Sequence, residues 1–245
     1  MIPSAQWLGG NGNAVWVSTQ KLPALKGRTI DTSGWSRQEQ DARVIQVTNE
    51  LSGPVRELGK RLQTLIGQQA PEVAELLAND RVISLSYSDR YLKSPWSLML
   101  LSGFLDIFKN SELKSLSIQT LAASSGQTSS LISHDWLHAA DQESVLSLWL
   151  GSQFSLQPTI NIKEHTRDLQ HSREISVVWA SGKRCKIFLD QGMGYWRGRM
   201  PHRAQMGFDF YSDYKGQAMQ RLEKYKDASM APSGDWSTYI SVVVG

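Results

Sequence analysis

The stretch Trp96 to Phe108 is apolar on almost every side, and Ser94-Pro95 stands directly before it. Serine is a preferred N-cap and proline fits the first helical turn, so a helix is predicted to start there. A helix without a polar stripe has to be covered all round. The flanking segments supply that cover. Arg81 to Ser86 (RVISLS) and Leu113 to Ala122 (LKSLSIQTLA) alternate apolar and polar residues with the period of strands. Asp141 to Phe154 then reads as an amphipathic helix and Thr159 to Ile162 as a further strand. A strand, helix, strand, helix, strand order specifies an α/β class with a mixed, partly parallel sheet flanked by helices.

Either side of this unit the pattern changes. Residues 1–36 place Trp7, Trp16 and Trp35 among glycines and read as an extended arm or the remnant of a preceding domain. Its tryptophans dock either on this chain's own core or on a partner. Residues 37–79 carry Val44, Ile45, Val47, Leu51, Val55, Leu58, Leu62, Leu65 and Ile66 at intervals of three or four, which predicts helix interrupted at Gly53-Pro54. Pro71 starts another short helix. The remaining unit is taken as 80–245. Within it Glu174 to Trp179 and Arg184 to Leu189 form a hairpin, Phe208-Asp209-Phe210 a short strand, Lys215 to Lys226 a basic helix and Trp236 to Val243 a closing strand.

Charge and chemistry gather between His165 and Phe210. That run holds His165, His171 and His202, and it has cations at Arg167, Arg173, Lys183, Arg184, Lys186, Arg197, Arg199 and Arg203. The formal charge of +3 means little spread over the whole chain, so the placement of these cations is what points to a polyanion. Gly192 and Gly194 precede Tyr195 and Trp196, a pair placed to stack on unpaired bases if exposed, or to fill the core if not. The segment from 196 to 206 reads as an exposed basic loop. Asp89 and Arg90, between a strand and a helix, stand where α/β folds keep binding groups; their alternative is to pair with each other. Ser124-Ser125-Gly126 reads as a loop, and His134 with His138 lacks a third ligand. The lone Cys185 cannot form an internal disulfide, and no Cys/His cluster has zinc-ligand spacing. No cofactor or metal is expected. The N-terminus lacks the features of a signal peptide, so a cytoplasmic location is expected.

Tyr87-Ser88-Asp89-Arg90-Tyr91 before an apolar helix, His171-x-Arg173-Glu174-Ile175, Leu189 through Trp196 and Phe208-Asp209-Phe210, in that order, resemble the phospholipase D-like C-terminal domain of MIT-domain proteins. They look closer still to its bacterial relatives, found beside or fused to helicases in phage-defence and DNA-modification systems. The resemblance covers roughly residues 80–243. It implies a single phospholipase D-like half domain, in which a phosphate-recognising surface survives while catalysis is often lost.

In phospholipase D enzymes, His-x-Lys supplies a nucleophile and an oxygen-holding cation, and an aspartate follows. Here His165-Thr166-Arg167 and His171-Ser172-Arg173 have arginine in the cation's place, which can hold phosphate bidentately. Four residues beyond each arginine stand His171 and Val177, neither an aspartate. An active phosphodiesterase would use His171 and Arg173, with His165, His202 or a homodimeric partner's equivalent as second catalyst.

Three functions follow. The first is nucleic-acid backbone binding without cleavage, through Asp89, Arg90, Arg167, Arg173, Arg184, Lys186, Tyr195, Trp196, Arg197, Arg199 and Arg203, beside a helicase or other defence protein. The second is metal-independent nuclease chemistry. The third is recognition of an acidic membrane surface, which lacks a basic amphipathic helix to support it.

Overall fold

A computed structural model describes residues 5–7, 16–18, 42–92, 94–122, 139–199 and 214–245. The strands are β1 (Ala5–Trp7), β2 (Trp16–Ser18), β3 (Arg43–Val47), β4 (Gly53–Pro54), β5 (Val82–Ser88), β6 (Ser115–Leu121), β7 (Thr159–Lys163), β8 (Glu174–Trp179), β9 (Arg184–Leu189), β10 (Trp196–Arg199), β11 (Ser229–Pro232) and β12 (Thr238–Val244). The helices are α1 (Leu58–Gln69), α2 (Pro71–Asn79), α3 (Pro95–Asp106), α4 (Ala139–Phe154) and α5 (Tyr214–Tyr225).

Seven strands form one mixed sheet in the order β3-β12-β9-β8-β5-β6-β7. β5, β6 and β7 run parallel, and every other pair is antiparallel. A three-stranded sheet, β10-β11-β4, stands beside it, and β1 pairs with β2. The α/β expectation therefore holds. Parallel neighbours need crossovers, and the two that α3 and α4 make, β5 to β6 and β6 to β7, step in one direction. Right-handedness then puts both helices on the same face.

The start of α3 follows from its sequence. Ser94 accepts from the Ser97 amide at 3.2 Å, and the Ser97 hydroxyl accepts from the Ser94 amide at 3.1 Å, a reciprocal cap with Pro95 behind it. From there α3 is buried almost throughout, between the sheet and α1, α4 and α5. Gly103 allows α1 to come close: a β-carbon there would lie 2.7 Å from Leu58 Cδ2. Trp149 of α4 donates its indole N–H to the Ser102 hydroxyl at 2.8 Å. Buried Gln142 donates to the Leu92 and Leu121 carbonyls, tying α4 to the loop after β5 and to the end of β6.

Residues 44–47, predicted as helix, form a strand instead. Val44, Ile45 and Val47 are β-branched, and the run buries Ile45 and Val47 while exposing Val44 and Gln46, a period of two. Its partner is β12, almost two hundred residues later, with Ile45 opposite Ile240. After Gly53-Pro54 has joined the small sheet, a 3-10 turn at Val55–Glu57 leads into the α-helix, which begins at Leu58. Residues 43–79 thus share one core with the rest. The segment after Tyr195, predicted as a loop, starts as β10, antiparallel to β11. Ser124 to Gly126, His134, His138, Trp35, Met200, His202, Arg203, Met206 and Phe208 to Phe210 lie outside the described residues.

Inward residues of the large sheet join one hydrophobic core with the helices. On its opposite face, among the described residues, no α-helix packs, and the segment 168–172 borders it. Register aligns that face into cross-strand rows. One reads Thr159, Ser117, Ser86, Ser176 and Lys186, and its neighbour Asn161, Gln119, Ser88, Glu174, Phe188 and Ser241.

Candidate functional site

The end of the sheet where β5 and β9 finish and β8 begins brings Asp89, Tyr91, His171, Arg173 and Gly192 together. Asp89 is 1% exposed. Its carboxylate accepts from the Tyr87 hydroxyl at 2.8 Å and the Tyr91 amide at 2.9 Å, and Arg173 Nε lies 3.8 Å away. Burial pushes the Asp89 carboxyl up, against the Tyr91 amide, the Tyr87 hydroxyl, Arg173 and His171, which all pull it down. The Tyr87 hydroxyl is raised well above its ordinary value by the same burial, and next by the neighbouring carboxylate.

Arg173 donates from Nη1 to the Asp190 carbonyl, and its guanidinium lies 5.1 Å from the centre of the Tyr91 ring. His171 is exposed, and its Nε2 stands 3.3 Å from the Tyr91 hydroxyl. Gly192 closes the cluster at φ +59°, where a β-carbon would overlap Arg173 Cδ and stand 3.2 Å from Asp89 Oδ2. The first glycine of the Gly-x-Gly is required there for both reasons.

This geometry corrects several sequence readings. Asp89 and Arg90 do not pair with each other. Asp89 faces Arg173, while Arg90 donates from Nε to the Leu169 carbonyl at 2.8 Å and from Nη2 to the Thr166 and Leu169 carbonyls. The Arg90 guanidinium is thereby spent on a backbone turn. Asp89 is a buried acceptor and presents nothing to a phosphate. Tyr195 and Trp196 are 1% and 3% exposed, so neither ring is available to a base. The Tyr195 hydroxyl donates to the Trp236 carbonyl at 2.6 Å, and Trp196 packs on Phe104 at 5.3 Å between ring centres. Strand alternation turned Trp196 inward and left Arg197 and Arg199 exposed.

The remaining expected residues are distributed as follows. Arg167 is exposed beside Asp168, 3.7 Å away, on the turn that Arg90 holds, and His165 begins that turn. Arg184 and Lys186 project from β9 onto the sheet face opposite the described α-helices, with Lys186 3.0 Å from Glu174. A cleft of about 410 Å³ opens on that face, lined among others by Ser86, Ser88, Gln119, Ser172, Glu174 and Lys186. The Arg197 and Arg199 strand belongs to the smaller sheet.

Sequence reasoning missed the residues that share the face with these two cations. Phe188 follows Arg184 and Lys186 at intervals of two on β9, so alternation alone would have placed it with them. Tyr239 and the serines of β5 and β6 carried no such signal, because their position depends on register across distant strands.

No helix among the described residues is long and apolar enough to cross a membrane. The family model described as DEAD/DEAH box helicase YjiV, C-terminal domain, matches residues 41–244, from just before β3 to the end of β12. No curated protein matches the chain.

Proposed function

Because the chain belongs to the family of the C-terminal domain of the DEAD/DEAH box helicase YjiV, we propose that it contacts the nucleic-acid backbone for a helicase assembly and does not cleave it. The observation that carries this reading is the division of labour among the cations. Arg173 and Arg90 hold the fold together through Asp89, Asp190 and the 166–169 turn. Arg184, Lys186 and Arg167 extend into solvent on the open sheet face and the turn beside it. Solvated cations on one surface displace counterions from a phosphate backbone.

Against cleavage stands the setting of His171. A histidine nucleophile or acid is ordinarily oriented by a carboxylate or carbonyl on its other nitrogen. The hydrogen-bonding neighbour of His171 is the Tyr91 hydroxyl, and the nearby carboxylate is already engaged by Tyr87, Tyr91 and Arg173. The likeness to half of a phospholipase D-type domain fits a surface that has kept recognition and given up chemistry. A bacterial DNA-processing or anti-phage assembly in the cytoplasm is the setting this reading assigns to it.

The test is binding of labelled single-stranded and duplex DNA across a salt series. The affinity is expected to fall steeply and linearly on a log-log plot; a flat response removes the reading. Incubation of the same DNA with EDTA is expected to leave it intact, and metal-free cleavage lost in His171→Ala would establish the nuclease alternative instead.

A further inference from the structure

The open sheet face carries more than cations. Phe188 lies opposite Ser241, and Tyr239 precedes Ser241 by two residues on the same strand, so both rings stand on the same side in a diagonal relation. Diagonal neighbours on one face are about 7–8 Å apart. Tyr239 is 39% exposed, and Val44, opposite Ser241 on the next strand, is 40% exposed. Along β9 itself, Arg184, Lys186 and Phe188 alternate outward from buried Cys185, Ile187 and Leu189. Toward the sheet centre the outward residues become small: Ser176 lies opposite Lys186, Ser86 opposite Ser176, and Ser117 opposite Ser86.

We propose that this face is a platform for an unpaired nucleic-acid strand, in which Phe188 and Tyr239 stack on bases and Arg184 and Lys186 hold the phosphates beside them. The proposal rests on the backbone-binding reading and narrows it. Tyr239 is exposed and Phe188 partly so; rings held on a sheet lose little entropy when a flat base covers them, and every base offers such a face. In a duplex those faces are already stacked, so the rings select unpaired strand. The two cations match the charge of a phosphate chain running along β9. The serine rows keep the neighbouring surface low, so a sugar or base can approach the backbone. They run into the cleft, lined by Ser86, Ser88, Gln119 and the 168–172 segment, where the Gln119 amide and the Ser88 hydroxyl are groups able to donate to and accept from a base edge.

The experiment uses the full chain and three fluorescent probes of equal length: single-stranded DNA, the same strand with abasic sites, and duplex DNA. The base-bearing single strand is expected to bind more tightly than either of the others. Tyr239→Ala and Phe188→Leu should each weaken that binding about fivefold or more while leaving the duplex unaffected, and Tyr239→Phe should retain the wild-type value. The Phe188→Leu change keeps apolar volume, and unaltered thermal unfolding of each variant would show the loss to be local. If the abasic strand binds as tightly as the base-bearing one, the stacking proposal is overturned and backbone binding stands. If no DNA binds at any salt concentration, both readings fail.

Discussion

Asp89 and Arg173 meet across the end of the sheet, the carboxylate 1% exposed and the guanidinium Nε 3.8 Å from it. The pair links the end of β5 to the start of β8, and through the Asp190 carbonyl it extends to the end of β9. Removing the arginine leaves a buried carboxylate without its cation. Arg173→Ala is therefore expected to lower stability by about 3 kcal/mol, read by urea unfolding. A variant that unfolds like wild type but loses DNA binding would make Arg173 a phosphate ligand instead of a structural one.

The pH dependence at Asp89 has a definite sign. Burial holds its folded-state pKa above the ordinary carboxylate value of 3.8. The folded chain thus keeps a proton that the unfolded chain releases, and the contribution to stability falls as pH rises through the window above 3.8. Asp89→Asn has no such titration. The stability of wild type minus that of the variant should decrease across this window in unfolding curves taken from acid to neutral pH. A difference that grows with pH would mean that Arg173 and the hydrogen bonds outweigh burial.

Gly103 and Leu58 set the distance between α3 and α1. In Gly103→Ala the gain in helix propensity, about 1 kcal/mol, opposes overpacking against Leu58 of roughly 1–3 kcal/mol. Because the new methyl would lie 2.7 Å from Cδ2 of fully buried Leu58, overpacking is expected to win. Thermal melts should show a lowered midpoint. Combining it with Leu58→Ala should cost less than the sum of the two single changes, since the added methyl occupies part of the vacated space.

For Arg184 and Lys186 the expected effect is on binding alone. Replacing both with Gln should reduce the slope of log affinity against log salt, on single strands, by about 0.7 for each phosphate that is no longer neutralised. Unfolding should barely change, because both side chains are exposed and the Lys186 to Glu174 pair is a surface one. An unchanged slope would place the backbone-binding cations elsewhere, with Arg197 and Arg199 the next pair to replace.

Cys185 is buried on β9, and burial, with Glu72 adding to it, pushes its thiol up to about 12. The thiolate is the reactive form. A thiol reagent at mildly alkaline pH should leave the native chain unmodified and label it fully in denaturant. Rapid labelling of the native chain would show that β9 opens locally.

Local pattern alone determined the parts whose neighbours are close in sequence. The Ser94-Pro95 cap, the apolar α3, the β8-β9 hairpin and the β5-α3-β6 unit were all legible, because capping, periodicity and short connections act within a few residues. Residues 44–47 were misread as helix because their strand exists only through pairing with β12, at the other end of the chain. The candidate site was split in the same way. Sequence marked Arg173, Arg184 and Lys186 as cations, but only the fold decided that Arg173 is committed to Asp89 while the other two face solvent. The aromatic residues it singled out, Tyr195 and Trp196, turned into the core, and Phe188 and Tyr239 took the open face. Composition gives a side chain its chemistry. Register and burial, which depend on strands distant in the chain, decide whether that chemistry reaches a ligand.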